Sequence, residues 1–182
     1  MRNNMQNNKY KEFYQYTDTD SNIKMVADEL KSKLKSSDDE VRAAILACHY
    51  INSIFWDRNY APPRPINRPR TLLESRFKKA SEILKKPQAS CGSAATLAAS
   101  ILRTAGYTVK LIHGELPNTD QHAWNEIWVS KREEWCSFDC SGGKGENYGL
   151  TGNHKKITEC ADWSELKDLL LEEHNRNQTK SG

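Results

Sequence analysis

ASCGSAATLAASILRTAGYTVKLIHGE, residues 89–115, contains both periodicities from which the fold is read. Its first half is nearly all small or apolar, and its polar atoms are mostly hydroxyls. That composition predicts a helix buried on most sides, with neighbours packed close against its alanines. Ser90 is placed to cap the start of this helix, and Gly106 to end it in a left-handed conformation. After Gly106 the apolar period changes from about 3.6 to 2, so YTVKLIHG reads as a strand. HAWNEIWV (122–129) and EWCSFDCS (134–141) read as two more.

Upstream, Ile23, Val26, Leu30 and Leu34 have helical spacing over residues 22–35. Ser37 and Glu40 form a capping box for a second helix. Its apolar stripe is Val41, Ala44, Ile45, Cys48, Ile51 and Phe55, and it ends near Trp56. YAPPRPINRPR (60–70) is too rich in proline for a helix and reads as a rigid connector rather than a polyproline ligand. Thr71 and Glu74 form another capping box, opening a helix that runs to Lys86 before Pro87. Downstream, a Gly-rich loop over 141–153 precedes a last amphipathic helix with Trp163, Leu166, Leu169 and Leu170, capped by Asp162. Helices, then strands, then one helix make an α+β pattern rather than alternating βαβ units. The domain is expected over 21–175, between a flexible polar leader (1–20) and a polar tail (176–182).

A chain of 182 residues with 37% hydrophobic content is long enough for one real core. The net charge of +3 builds no single-sign field, so nucleic acid is not the expected partner. No apolar run approaches about 18 residues and the N-terminus has no apolar centre, so neither a membrane span nor a signal peptide is expected. The five cysteines are Cys48, Cys91, Cys136, Cys140 and Cys160. An odd count with no regular disulfide framework favours a reducing compartment, and a soluble, cytoplasmic protein is the expectation.

Cys91 opens the buried helix. Unpaired N–H groups and the helix dipole there favour a thiolate, the nucleophilic form of cysteine, and could also donate to an oxyanion. His122 begins a strand whose one face holds His122, Trp124, Glu126 and Trp128. If Ser130 to Glu133 form an even-membered turn, Trp124 opposes Asp139 and His122 opposes Ser141. Asp139 then becomes the diagonal neighbour of His122 on the same face. An odd-membered turn would separate them. Nucleophile, base and orienter thus come from elements able to converge.

These segments resemble the transglutaminase-like superfamily. The resemblance lies in the Cys-opened helix with its Gly-Tyr exit, HAWNEIW and EWCSFD, over roughly residues 70–141. It implies a papain-like core, in which a central Cys-bearing helix packs on an antiparallel sheet. It also implies a Cys-His-Asp triad falling on Cys91, His122 and Asp139. The implied chemistry is attack on a Gln side chain or peptide-like amide of a protein or peptide, through a thioester. Water would then give hydrolysis or deamidation, and a Lys amine a cross-link. Gln88, Trp56 and Asn59 are candidate second oxyanion donors, and Trp124 and Trp128 either wall an acyl tunnel or pack as ordinary strand aromatics.

No cofactor is expected. Calcium serves some family members, but no calcium loop is recognised in this sequence. Cys136 and Cys140 with His154 suggest zinc, yet on a strand the two cysteines stand about 13 Å apart at ~3.3 Å per residue, too far to share a metal at about 2.3 Å from each sulfur. They are expected to pack beside Phe138 on the face opposite Asp139. SGGKGENYG is not a phosphate loop, and His49 and His113 read as structural. The rival to an enzyme is a catalytically silent copy of the fold that binds protein.

Overall fold

The computed structural model describes residues 10–12, 17–34, 40–55, 78–87, 90–116, 119–141 and 155–156. Four helices are α1 (Ser21–Ser32), α2 (Glu40–Phe55), α3 (Ala80–Lys85) and α4 (Cys91–Thr104). The strands are β1 (Tyr10–Glu12), β2 (Val109–Leu116), β3 (Thr119–Val129), β4 (Glu134–Phe138) and β5 (Lys155–Lys156). They form one sheet in the order β1-β2-β3-β4-β5, antiparallel through β4, with β5 parallel to β4. The chain is therefore α+β, as its sequence order implies.

Helix α4 is the centre. It contacts α1, α2, α3, β2 and β3, and Gly92 to Leu102 are all buried. Its many small side chains allow neighbours on several sides at once, while Leu97, Ile101 and Leu102 supply the apolar area. Full burial of such a side chain contributes about 1.5–3 kcal/mol. Ser90 caps the helix, its Oγ accepting from the Ser93 N–H at 3.0 Å. At the other end Gly106 has φ +99°, and the N–H groups of Gly106 and Tyr107 bond back to Arg103 and Leu102. Only glycine adopts that backbone without strain. Helix α2 also packs on α4, and its Ala44, Ile45, Cys48, Ile51 and Phe55 are buried as the stripe predicts.

Two expectations need correction. The polar leader is not loose over its described part. β1 pairs with β2, Arg103 Nη1 donates to Thr17 Oγ1, and Thr19 and Thr104 hydroxyls bond at 2.8 Å. The helix expected from Thr71 to Lys86 is not continuous either, because Lys79 is extended and α3 begins at Ala80. Lys79 has no capping side chain to offer. Instead Asp18 reaches across 63 positions, accepting from the Ser81 N–H at 3.0 Å and from its hydroxyl. A cap supplied from so far away leaves no local signal in the sequence. Ser37 of the first capping box, the Thr71–Glu74 box, the proline-rich connector, the Gly-rich loop beyond Ser141 and the last helix lie outside the described residues, while Glu40 opens α2 and accepts from the Ser130 N–H at 3.2 Å.

The cysteines also differ from expectation. Cys136 is disulfide-bonded, with its partner outside the described residues, so an all-reduced set is not what the structure holds. The cysteine argument for a reducing compartment goes with it. Cys136, Phe138 and Cys140 are nonetheless buried together, as expected of the face opposite Asp139. No helix among the described residues is long and apolar enough to cross a membrane.

Burial pushes the Asp18 carboxyl up, but the Ser81 hydroxyl and N–H, with the charge of Lys79, hold it below its ordinary 3.8. A depressed carboxyl stabilises the fold above the unfolded value and loses that contribution as pH falls through the folded one. Asp18→Ala should cost about 1–2 kcal/mol at neutral pH, as other lost N-caps do. Urea denaturation should find the gap between the two proteins shrinking as pH falls below 3.8.

Candidate active site

The β3–β4 register brings the site together. Val129 pairs with Glu134 and Asn125 with Phe138, leaving Ser130 to Glu133 as a four-residue connection. Ser130–Arg132 form a single 3-10 turn, and Glu133, at φ 50°, turns the chain back into β4. One further step of the register sets Asp139 opposite Trp124 and diagonal to His122. Of the two parities left open by the sequence, the even-membered turn is the one observed. His122 Nε2 lies 2.8 Å from Asp139 Oδ2.

Asp139 is held on both oxygens. Its Oδ1 accepts from the Ser141 N–H at 2.7 Å and from the Ser141 hydroxyl at 2.6 Å. Ser141 is a positioning residue that sequence reading passed over, although Asp-x-Ser is a recognisable local turn pattern. Trp124 is 1% exposed, and its ring stacks on the His122 imidazole with centroids 6.4 Å apart and planes 16° apart. Of the two roles expected for Trp124, packing is the one its burial fits. It presents almost no surface to a tunnel.

Cys91 stands at the first position of α4, partly buried, where the His122 ring and the Ala123 N–H both act to favour its thiolate. Since Nε2 of His122 faces Asp139, the ring's other nitrogen is the one left for sulfur. Ser93 and Ala94 give their N–H groups to Ser90 Oγ and Ser90 carbonyl. Among the described residues, the N–H groups of Cys91 and Gly92 remain without a partner at the helix tip. That is where an oxyanion formed at the sulfur's target would find donors. Gln88, Trp56 and Asn59 lie outside the described residues.

A second residue that sequence reading missed is Asn125. It is fully buried between the helix and the sheet, and its Nδ2 donates to Ala95 O at 2.9 Å and Lys110 O at 3.2 Å. Ala95 is one turn beyond Cys91, and Asn125 is three residues beyond His122. This amide therefore ties the cysteine's helix to the histidine's strand. On the sheet's other face Glu126 pairs with Lys110 at 3.7 Å, and the Lys110 ammonium sits 3.6 Å from the Trp135 ring centre. Trp135 meets Trp128 edge-on at 5.5 Å.

Electrostatics couple the three groups. Burial pushes the Cys91 thiol up, but the hydrogen bond and charge of His122 and the Ala123 N–H outweigh it, leaving the thiol below its ordinary 9.0. Burial likewise pushes His122 down. The bond to Asp139, the bond to Cys91 and the charges of both lift it instead from 6.5 to about 10. Both shifts favour thiolate and imidazolium in the pair, with the carboxylate behind. Among the described residues no cluster of three or more His, Cys, Asp or Glu side chains could hold a metal. The disulfide at Cys136 also removes that sulfur from any zinc set with Cys140 and His154.

Alkylation by iodoacetamide reads this coupling. The pH midpoint for Cys91 should fall below 9.0 in the wild type. In His122→Ala only burial acts strongly, and the midpoint should rise above 9.0, with labelling at neutral pH slower on the order of 10–100-fold. Peptide mapping with a limiting reagent pulse measures both.

A family model described as the transglutaminase-like superfamily matches residues 24–140. No curated protein and no solved structure matches the chain significantly. The matched segment runs from the first helix to just past Asp139 and includes all three groups of the array. It covers well over half the sequence, and the chain belongs to the transglutaminase-like superfamily.

Proposed function

We propose that this protein is a thiol-dependent acyltransferase or hydrolase of amide bonds, built on a papain-like core, with Cys91 as nucleophile, His122 as base and Asp139 as orienter. The observation that supports this reading is a shared imidazole. The ring and the Cys91 sulfur favour each other's charged forms, while the ring's Nε2 lies 2.8 Å from the Asp139 carboxylate.

In this mechanism the Cys91 thiolate adds to the amide carbonyl carbon. A carbon–sulfur bond forms, and the carbonyl π electrons move to oxygen, which the Cys91 and Gly92 N–H groups receive. The oxyanion then collapses, the carbon–nitrogen bond breaks, and the leaving amine takes the imidazolium proton. The thioester is released by water, giving an acid, or by a primary amine, giving a new amide. In either case neutral His122 removes the acceptor's proton and the thiolate returns. Asp139 stabilises the charged ring and fixes which nitrogen faces sulfur. The substrates are Gln side chains or peptide-like amides of proteins or peptides, and no step requires a cofactor.

An activated ester tests the chemistry without knowledge of the natural substrate. With p-nitrophenyl acetate, the wild type should release a burst of nitrophenolate and carry one acetyl group on the peptide containing Cys91. Cys91→Ala should give neither. Asp139→Asn should acylate more slowly, by on the order of 10²–10⁴ as in other triads. With amide substrates, activity should decline as pH rises through about 10, where His122 loses the proton the leaving amine needs. No acyl adduct on Cys91, together with Asp139→Asn indistinguishable from wild type, would leave the domain as a binding module. Amide peptides with and without an added primary amine then separate hydrolysis from transfer.

A further inference from the structure

Outside the array, the chemically notable pair is Cys48 and Cys140. Both are free thiols and both are buried, at 0% and 1% exposure. They come from positions 92 apart, one on the apolar stripe of α2 and the other directly after Asp139. Their sulfurs lie 2.6 Å apart. That is well inside the contact distance of two unbonded sulfur atoms, though still longer than an S–S bond of about 2.05 Å. A thiol–thiol hydrogen bond is too weak to hold two sulfur atoms against that repulsion. The pair must either bond or part.

We propose that Cys48 and Cys140 are joined by a disulfide acquired during folding, which bridges α2 to the residue that follows Asp139. Burial decides the timing. Once the core has closed, no small thiol or disulfide reaches either sulfur, and burial together with Cys48 pushes the Cys140 thiol well above its ordinary value. Exchange therefore belongs to the open chain. One cysteine thiolate attacks a low-molecular-weight disulfide such as oxidised glutathione, forming a mixed disulfide and expelling one glutathione thiolate. The second cysteine thiolate attacks the protein sulfur of that mixed disulfide and expels the other. Two protein thiols are oxidised, one glutathione disulfide is reduced to two thiols, and the protons pass to the departing thiolates.

Two consequences follow. The bridge anchors the backbone beside Asp139, whose side chain already holds His122 and Ser141. It also leaves Cys91 as the one free thiol among the described residues, since Cys136 is already bonded. A thiolate meant for reaction is then not lost to a neighbouring sulfur. Two disulfides in so small a chain would mark maturation in an oxidising compartment.

The whole chain, refolded with oxidised and reduced glutathione, should be denatured and alkylated without reductant. It is then digested with trypsin and chymotrypsin. Cleavage after Phe138 separates Cys136 from Cys140, so the two cannot be confused. The expected product is a reduction-sensitive pair of peptides, one containing Cys48 and the other Cys140. Cys48→Ser, Cys140→Ser and the double variant should each lower Tm on the order of 5–15 °C, the double variant by no more than either single one, because one bond is lost in all three. Alkylation of both cysteines in the refolded chain, or linkage of Cys48 to a different cysteine, would overturn the proposal. The crosslink is read by mass, so its failure is distinct from inactivity at Cys91.

Discussion

Side chains alternate across a strand, so the length of the β3–β4 connection decides which face of the sheet Asp139 occupies. Four residues, Ser130 to Glu133, put it on the face of His122. One residue more or fewer would send it to the face of Cys136 and Phe138, where a carboxylate would be buried among apolar groups. The coupling between carboxylate and imidazole is thus set at the far end of their own strand pair, at the turn that joins β3 to β4. Glu133 accepts a left-handed backbone conformation to close that turn at this length.

The second constraint is the approach of α4 to the sheet. A helix with larger side chains would stand further off, and the sulfur at its tip would not reach the imidazole on β3. The alanines allow the close approach, and Asn125 locks it by bonding the helix carbonyl of Ala95 and the strand carbonyl of Lys110 together. Packing and hydrogen bonding therefore act on the same distance. The electrostatics follow from that geometry. A thiol and an imidazole that are both disfavoured as ions by burial become an ion pair because each is the other's partner and Asp139 stands behind.

What was legible in the sequence was whatever depends on neighbours along the chain. Ser90 and Gly106 bound α4, the period-2 runs give β2 to β4, and the shortness of the turn narrows the face of Asp139 to a question of parity that the register answers. What was not legible depends on groups far apart. The start of α3 is set by Asp18 rather than by its own Lys79, and no local pattern announces that. β1 and β5, of three and two residues, are too short to display a period and exist because β2 and β4 offer them an edge. The disulfide state of Cys136 could not be counted from an odd number of cysteines. Asn125 reads in sequence as one more polar strand residue, and its role appears only once a helix carbonyl is placed above it.

The central claim is that sulfur, imidazole and carboxylate behave as one electrostatic unit, and the charge state of His122 reports it most directly. NMR of ¹⁵N-histidine-labelled protein, titrated from neutral to alkaline pH with the His122 resonance assigned by His122→Gln, reads that charge. The account predicts an imidazolium that persists through neutral pH and loses its proton near 10. An imidazole that titrates near 6.5, the ordinary value, would contradict it.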